Sequence, residues 1–399
     1  MYKHSPTHGS IPLPFQTKGN LCVSALFVLT ILYFTISAAA AGPLPHPSPP
    51  NIKANGYLLV DSHSGTVLAE QNADERMTPA SLTKMMTAYV VFSELRAGNL
   101  ALGEEVIISE KAWRTPGSRT FVEVDTRVPV EVLLKGIIIQ SGNDASVALA
   151  EHIAGDEPAF AQRMNQAAKR LGLTGSHFVN STGLPEMNHY TTARDMATLG
   201  IALVRHFPEL YKLHAIKSYE HNSIKQFNRN KLLWRDDSVD GIKTGYTEAA
   251  GYCLVASARQ ENMRLMSVVM GADSVNSRTQ AAQTLLRYGF RFFETSRLYG
   301  GGNIIQTVPV WKGSTDMLDV GVEEDLYMTV PTGQQDSIKA DMQINTLITA
   351  PVNEGDICGK IRVQLDGKTL LERPVVALHS VPEGGMWKRA LDAVRLYFY

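Results

Sequence analysis

Ser81 and Lys84 have the residue types and the spacing of a nucleophile and its base. Residues three apart share one face of a helix, so the Lys84 amine can reach the Ser81 hydroxyl and accept its proton if it is held neutral. The stretch 79–96 is apolar nearly all round, which predicts a buried helix and a lysine pKa lowered by desolvation. Thr78 is expected to cap this helix beside Pro79. Taken alone, the pair is more typical of a capped helix with an extended lysine.

Two further short motifs add to this chemistry. Ser141-Gly-Asn143 lies between two predicted helices and offers a hydroxyl to relay a proton and an amide to hold a substrate amide. Lys243-Thr244-Gly245 offers a cation for a carboxylate, a hydroxyl, and a glycine that lets a substrate lie against a strand edge. Repulsion from this second lysine is also expected to keep the first one neutral. The first two motifs are common by chance, the third is less so, and the ordered set of three is rare.

The elements that must position these motifs follow from the periodicity of the apolar residues. Alternating residues predict two hairpins, one at 57–70 and one formed by strands 252–258 and 263–270. We expect an antiparallel sheet in which the two hairpins meet, with helices on both sides. Helical spacing predicts, besides 79–96, helices at 128–140, 144–154, 157–170, 193–206 and 277–293.

Composition excludes several classes of protein. The chain has 399 residues, is 44% apolar and 19% charged, and carries a net charge of −1, so it is neither disordered nor a typical nucleic-acid binder. Its three cysteines are too few for a disulfide framework or a zinc cluster. Cys253 and Cys358 lie in separate predicted domains, and we expect both to be buried and unpaired.

The amino terminus has the pattern of an export signal. An uncharged apolar run at 21–37 follows Lys3 and Lys18 and precedes a run of alanines. This pattern predicts a signal peptide over 1–41, followed by a proline-rich linker at 42–50. An uncleaved anchor is the alternative, because the apolar run is long.

The rest of the chain divides at three consecutive glycines. Residues 51–300 form the predicted catalytic domain, and the short alternating runs at 303–382 predict a small all-β domain. Residues 384–399 predict an amphipathic helix with an aromatic-rich apolar face and a basic face, as in helices that lie in a membrane interface. Docking of this helix on its own domain is the alternative.

The motifs resemble those of the penicillin-recognising serine hydrolases, in that family's order. The segments 78–87, 140–146, 191–196 and 240–251 are similar to those of the D-alanyl-D-alanine carboxypeptidases, the low-molecular-mass penicillin-binding proteins. The likeness extends over about 51–399. It implies an α/β (α+β) penicillin-binding/β-lactamase-like transpeptidase domain with an antiparallel sheet flanked by helices, followed by a small all-β domain and a C-terminal amphipathic helix.

The resemblance also implies roles for individual residues. Ser81 corresponds to the acyl-enzyme nucleophile, Lys84 to the proton acceptor, and Ser141 to the proton relay. Asn143 corresponds to the residue that holds the substrate amide and Lys243 to the ligand of its terminal carboxylate.

Further substrate contacts are implied at Thr244 and Gly245. Arg229 and Arg278 match family arginines near the carboxylate, although a surface arginine is the simpler interpretation of each. The resemblance places the oxyanion hole at the backbone N–H groups of Ser81 and Tyr246.

The implied activity is removal of the terminal D-alanine from peptidoglycan stem pentapeptides, without metal or cofactor, by an exported enzyme on the outer face of the cytoplasmic membrane. β-Lactams are expected to acylate Ser81, and no nucleic-acid partner is expected. A β-lactamase, a D,D-endopeptidase and an inactive wall-binding scaffold are the alternatives. The first would need a glutamate four residues before an asparagine, which this sequence lacks.

Overall fold

The computed structural model describes residues 48–398, so the predicted signal peptide and most of the predicted linker lie outside them. The strands are β1 Gly56–Asp61, β2 Val67–Gln71, β3 Glu105–Ile107, β4 Arg127–Pro129, β5 Ser218–His221, β6 Ile224–Phe227, β7 Val239–Thr247, β8 Gly251–Gln260, β9 Met263–Ala272, β10 Phe293–Tyr299, β11 Gln306–Pro309, β12 Met317–Gly321, β13 Leu326–Pro331, β14 Ile338–Ile344, β15 Ile357–Leu365 and β16 Lys368–Ala377. The α-helices are α1 Thr83–Ala97, α2 Glu110–Arg114, α3 Val130–Lys135, α4 Asn143–Ala154, α5 Glu157–Arg170, α6 Ala193–His206, α7 Pro208–Tyr211, α8 Leu232–Arg235, α9 Val275–Phe292 and α10 Met386–Tyr397.

The central sheet is antiparallel, with strand order β2-β1-β9-β8-β7. The two predicted hairpins meet where β1 pairs with β9, as expected. Successive side chains of a strand point to opposite faces, so Leu58 joins the core that contains α1 and Leu59 joins the core beneath α9. The sheet is therefore covered by helices on both sides, and its edge strand β7 carries Lys243.

Two helix predictions need correction. The stretch 128–140 begins as strand β4, continues as α3 and ends in a π-helix at Gly136–Gln140. The helix predicted from 79 begins as a 3-10 turn at Ala80–Leu82, without a side-chain cap from Thr78. The physical reason is the backbone of Ala80, whose φ of 47° lies in the left-handed region and interrupts regular helix geometry.

The C-terminal β domain has its own apolar core and a five-stranded antiparallel sheet of order β11-β12-β16-β15-β14. Strand β10 precedes the three glycines at 300–302 but pairs with β13 beyond them, so hydrogen bonds cross the predicted boundary. Cys253 and Cys358 are buried and unpaired, which confirms that prediction.

Helix α10 docks on the β domain through its polar side. Asp392 is 3% exposed and accepts a hydrogen bond from the Lys312 backbone N–H at 2.8 Å. Within residues 48–398, no helix has the length and apolar character needed to cross a bilayer. The apolar face of α10 stays uncovered and consists of Met386, Trp387, Leu391, Val394, Tyr397 and Phe398, the last just past the helix end.

Candidate active site

Ser81 lies in the 3-10 turn that precedes α1, and this turn packs closely against β7. A Cβ atom at Gly245 would lie 3.2 Å from the Pro79 carbonyl oxygen and 3.3 Å from the Leu82 backbone nitrogen. These distances are tighter than ordinary van der Waals contact, so glycine allows β7 to approach the serine. Ser81, Thr244 and Gly245 line a cleft of about 470 Å³.

Lys84 is the base that the sequence predicts, and its geometry fits that role. Its side chain is 1% exposed, and its Nζ lies 3.2 Å from Ser81 Oγ and 2.6 Å from both Asn143 Oδ1 and the Thr182 carbonyl oxygen. Burial lowers the pKa of Lys84 from its ordinary 10.5 to about 7. A lysine with this pKa is largely neutral in mildly alkaline solution and can accept the serine proton.

Nearby charges also change the pKa of Lys84. After burial, Arg229 is the cation that lowers the pKa of Lys84, while Asp144 and Glu157 raise it. Burial also lowers the pKa of Lys243, and repulsion from Lys84, Arg229 and Arg278 lowers it further. The repulsion between the two lysines acts on both of them. The Lys243 Nζ donates a hydrogen bond to the carbonyl oxygen of Thr244 at 2.9 Å.

Ser141 and Asn143 flank the same site. Ser141 has a left-handed backbone with φ 67°, and its buried hydroxyl has no hydrogen-bond partner. Strained backbone and an unsatisfied buried hydroxyl are both costly and are typical of functional positions. Besides accepting from Lys84, Asn143 donates its Nδ2 to the Pro116 carbonyl oxygen at 2.6 Å. The loop before α4 therefore places a free hydroxyl in the cleft that Ser81 also lines.

The two arginines are placed differently. Arg229 is solvent-exposed and lines the cleft, whereas its two neighbours in the chain, Asn228 and Asn230, are buried. Arg278 is 6% exposed and donates to the carbonyl oxygens of Gly245, at 2.8 Å, and Cys253, at 3.3 Å. Arg229 is thus available to a ligand, whereas Arg278 also holds β7 and β8.

The sequence profile described as D-alanyl-D-alanine carboxypeptidase matches residues 45–274, more than half of the chain. The chain belongs to the D-alanyl-D-alanine carboxypeptidase family. The profile of the penicillin-binding protein 5 C-terminal domain matches residues 293–383. These matches confirm the predicted family and enzyme class.

Relatives of this carboxypeptidase support the same assignment. It is 44% identical over 361 residues to D-alanyl-D-alanine carboxypeptidase DacA of Escherichia coli strain K12, which covers 88% of this chain and 90% of the relative. Its fold matches penicillin-binding protein 5 from Haemophilus influenzae with a TM-score of 0.81 and 41% identity, over 84% of this chain and all of that one. An ampicillin-bound penicillin-binding protein D2 from Listeria monocytogenes matches with a TM-score of 0.56 and 29% identity, over 60% and 100% of the respective chains.

Sequence reasoning missed Asp144, a buried residue that does not line the cleft of the carboxypeptidase but holds one of the loops that do. Its buried carboxylate accepts backbone N–H groups from Thr120, at 2.8 and 2.9 Å, and Phe121, at 2.9 Å. These bonds fix the loop whose residues Gly117 and Ser118 form one wall of the cleft. The available signal was an acidic residue in the first turn of a helix, which is too common to identify this contact.

The segment around Thr182 was also missed. Its carbonyl oxygen holds Lys84, and the next residue, Gly183, has φ 83° and approaches the Ala80 carbonyl so closely that a Cβ atom would lie 1.8 Å from its oxygen. Thr83 Oγ1 binds the buried His189 Nε2 at 2.8 Å and fixes the same segment on α1. No short motif marks these backbone contacts.

Across 48–398, no three His, Cys, Asp or Glu side chains come together as metal ligands would.

Proposed function

We propose that this carboxypeptidase removes the terminal D-alanine of peptidoglycan stem pentapeptides through an acyl-enzyme on Ser81. The observation that carries the proposal is the 3.2 Å contact between the Ser81 hydroxyl and the buried Lys84, whose pKa is lowered to about 7. A neutral amine at hydrogen-bond distance from a hydroxyl is the arrangement that general-base activation of a serine requires.

The reaction proceeds in two steps. Ser81 Oγ bonds to the D-Ala–D-Ala carbonyl carbon while its proton passes to Lys84 Nζ. The peptide C–N bond then breaks, and the departing amine of D-alanine receives a proton through the Ser141 hydroxyl, which has no hydrogen-bond partner in the free enzyme. Water next attacks the ester carbonyl carbon and gives a proton to the same base. Lys84 passes that proton to Ser81 Oγ as the ester C–O bond breaks, which releases the shortened peptide and restores the serine hydroxyl.

The backbone and the charges of the cleft suit the substrate. The N–H groups of Ser81 and Tyr246 stabilise the oxyanion, and Asn143 holds the substrate amide. Lys243, Thr244, Arg229 and Arg278 bind the terminal carboxylate. Burial lowers the pKa of both Lys243 and Arg278, and nearby cations lower both further, so this assignment is supported by mutual repulsion. An anion in the cleft relieves that repulsion.

β-Lactams resemble the same dipeptide, and we propose that they acylate Ser81 as well. The ampicillin-bound relative supports this part of the proposal. The acyl-enzyme also provides an assay that requires no natural substrate.

The experiment measures D-alanine release from a synthetic pentapeptide ending in D-Ala-D-Ala, together with covalent labelling by a fluorescent penicillin. Wild type should release D-alanine and become labelled, and Ser81→Ala should do neither. Ser146→Ala is the matched control, because Ser146 is a buried serine that bonds only the Gly142 carbonyl oxygen. Labelling without D-alanine release would favour an endopeptidase or a β-lactamase, and absence of both would favour a scaffold.

We also propose that the protein is exported and attached to the outer face of the cytoplasmic membrane through α10. The uncovered apolar face of α10 supports this attachment. Deletion of 386–399 should move the protein from the membrane fraction to the soluble fraction. Unchanged partitioning would identify the amino-terminal segment as the anchor.

A further inference from the structure

The chain that leads from β6 to α8 is anchored by buried amide side chains at every second position. These side chains are Gln226, Asn228 and Asn230. Each donates a hydrogen bond to a backbone carbonyl oxygen, that of Thr120 at 3.0 Å, Ile216 at 3.1 Å and Gly241 at 2.9 Å, respectively. Alternate side chains of an extended chain point to opposite sides, so these bonds fix the intervening side chains on the outer surface.

The intervening side chains are basic or aromatic. Together with one aromatic residue of α8 they form a set that we call the outward row, which consists of Lys225, Phe227, Arg229, Lys231 and Trp234. Phe227 is 54% exposed and Trp234 is 43% exposed. The Lys225 Nζ lies 5.5 Å from the centroid of the Phe227 ring, and the Lys231 Nζ lies 5.6 Å from that of Trp234. Cations and rings therefore alternate along one continuous surface.

The cations of the outward row have no acidic partner. In the part of the chain that the structure describes, no carboxylate lies within ion-pair distance of Lys225, Arg229 or Lys231. Glu220 is opposite Lys225 in the β5–β6 hairpin, but the two side chains form no ion pair. Arg194, in contrast, is held by two carboxylates. The positive charge of the row is thus available to an anionic ligand.

The outward row is continuous with the active-site cleft. Arg229 lines the cleft, whereas the other four members of the row lie outside it. In the proposed reaction Arg229 binds the terminal carboxylate, so the reacting stem peptide ends there. A single pentapeptide therefore leaves the lysines and rings on both sides of Arg229 unoccupied.

We propose that the outward row is a second binding site for the peptidoglycan polymer, which holds a neighbouring segment while one stem reacts in the cleft. The inference rests on the proposed carboxypeptidase function and specifies the form of substrate that the enzyme prefers. Every stem ends in a carboxylate, which complements Lys225 and Lys231. The sugar rings of the strands present C–H faces, which pack on exposed aromatic rings such as Trp234. Binding at two sites raises the effective concentration of stems at the cleft.

The variant Lys225→Gln/Lys231→Gln tests this inference, because it removes charge from the row and leaves the residues of the cleft in place. Its control, Lys339→Gln/Lys368→Gln, removes the same charge from two exposed lysines of the β domain. D-Alanine release is measured with a synthetic pentapeptide and with insoluble peptidoglycan that retains its pentapeptide stems. The rate of penicillin labelling verifies that each variant is folded.

The lysine variant should keep the wild-type kcat/KM for the free pentapeptide and lose about threefold on the polymer for each lysine removed. High salt should lower wild-type turnover of the polymer to the level of the variant, because it screens the row. The control should match wild type on both substrates. Phe227→Ala/Trp234→Ala should also lose about threefold on the polymer alone, and this loss should persist in high salt.

Equal turnover of the polymer by wild type and the lysine variant would overturn the inference, as would an equal loss in the control. D-Alanine release from the free pentapeptide would in either case leave the proposed function intact. Wild type that releases D-alanine from neither substrate would overturn the proposed function and this inference with it. If the lysine variant lost binding to phosphatidylglycerol vesicles at unchanged polymer turnover, the row would belong to a membrane contact, and the polymer site would be excluded.

Discussion

Arg229 stands out among the single residues because it is the charge that favours the neutral form of Lys84. Arg229→Gln removes this repulsion, so the pKa of Lys84 should rise from about 7. The base acts in its neutral form, which exists above its pKa, and the acid limb of the kcat/KM profile should therefore move to higher pH. Because Arg229 is solvent-exposed, its effect is smaller than that of burial.

The matched control for this prediction is Arg235→Gln. Arg235 is also exposed and follows Arg229 closely in the chain, but it does not line the cleft. Its pH profile should coincide with that of wild type. If Arg229→Gln raised KM at an unchanged pH profile, Arg229 would be a carboxylate ligand only.

Ser141 contributes both a hydroxyl and a left-handed backbone conformation, and substitutions can separate the effects of the two. Both Ser141→Ala and Ser141→Gly remove the hydroxyl and should slow D-alanine release by about 10²–10⁴-fold. Glycine adopts φ 67° at a lower cost than alanine, so the glycine variant should be more stable than the alanine variant by about 1 kcal/mol. Thermal denaturation and turnover of the two variants provide the comparison. Equal activity of wild type and either variant would exclude the hydroxyl as a proton relay.

The sequence was sufficient to predict which side chains meet, but not their electrostatics. Ser81 and Lys84 share a helix face by spacing alone, and three motifs in a known order predict that Ser141 and Lys243 join them. The pKa of Lys84 depends instead on distances to Arg229, Asp144 and Glu157, which lie far apart in the chain. No spacing rule relates such residues, so the sequence could not predict these contributions.

At the scale of elements, the backbone of 181–184 is as important to the site as any side chain. Gly183→Ala should destabilise the protein and slow penicillin labelling, because the new methyl would overlap the Ala80 carbonyl and displace the turn that carries Ser81. Gly172→Ala is the control, since Gly172 also has positive φ, 71°, but has open space around it. It should lose only about 1–2 kcal/mol of stability from the backbone conformation and keep its labelling rate. Equal effects of the two variants on labelling would contradict this role of Gly183.

Elements with ordinary capping were predicted well, and irregular ones were not. Helices α5 and α6 begin after Asp156 and Thr192, whose side chains accept N–H groups of the first turn, and both were located to the residue. The turn at Ala80 and the π-helix at Gly136–Gln140 depend on tertiary contacts with Gly183 and with Thr120, so local sequence does not specify them.

At the scale of the molecule, one buried carboxylate links the catalytic domain to the β domain. Asp61, at the end of β1, accepts the N–H groups of His63 and Ser64, at 3.0 and 2.7 Å, and the Thr295 hydroxyl of β10 at 3.1 Å. The Thr329 hydroxyl of β13 lies 2.6 Å from that of Ser64. This network couples the first strand of the catalytic sheet to the β domain, although more than 230 residues separate them along the chain.

Asp61→Ala should therefore lower the free energy of unfolding without slowing chemistry. The half-buried donors of His63 and Ser64 and the buried Thr295 hydroxyl would lose a charged acceptor at once, which should cost about 2 kcal/mol, whereas Thr329→Val removes one hydroxyl and should cost about 1 kcal/mol. Thermal denaturation measures both losses. Asp61 hydrogen-bonds none of the cleft residues, so the folded fraction of either variant should be labelled by penicillin at the wild-type rate. Slower labelling of fully folded Asp61→Ala would mean instead that the β domain supports the geometry of Ser81 through this junction.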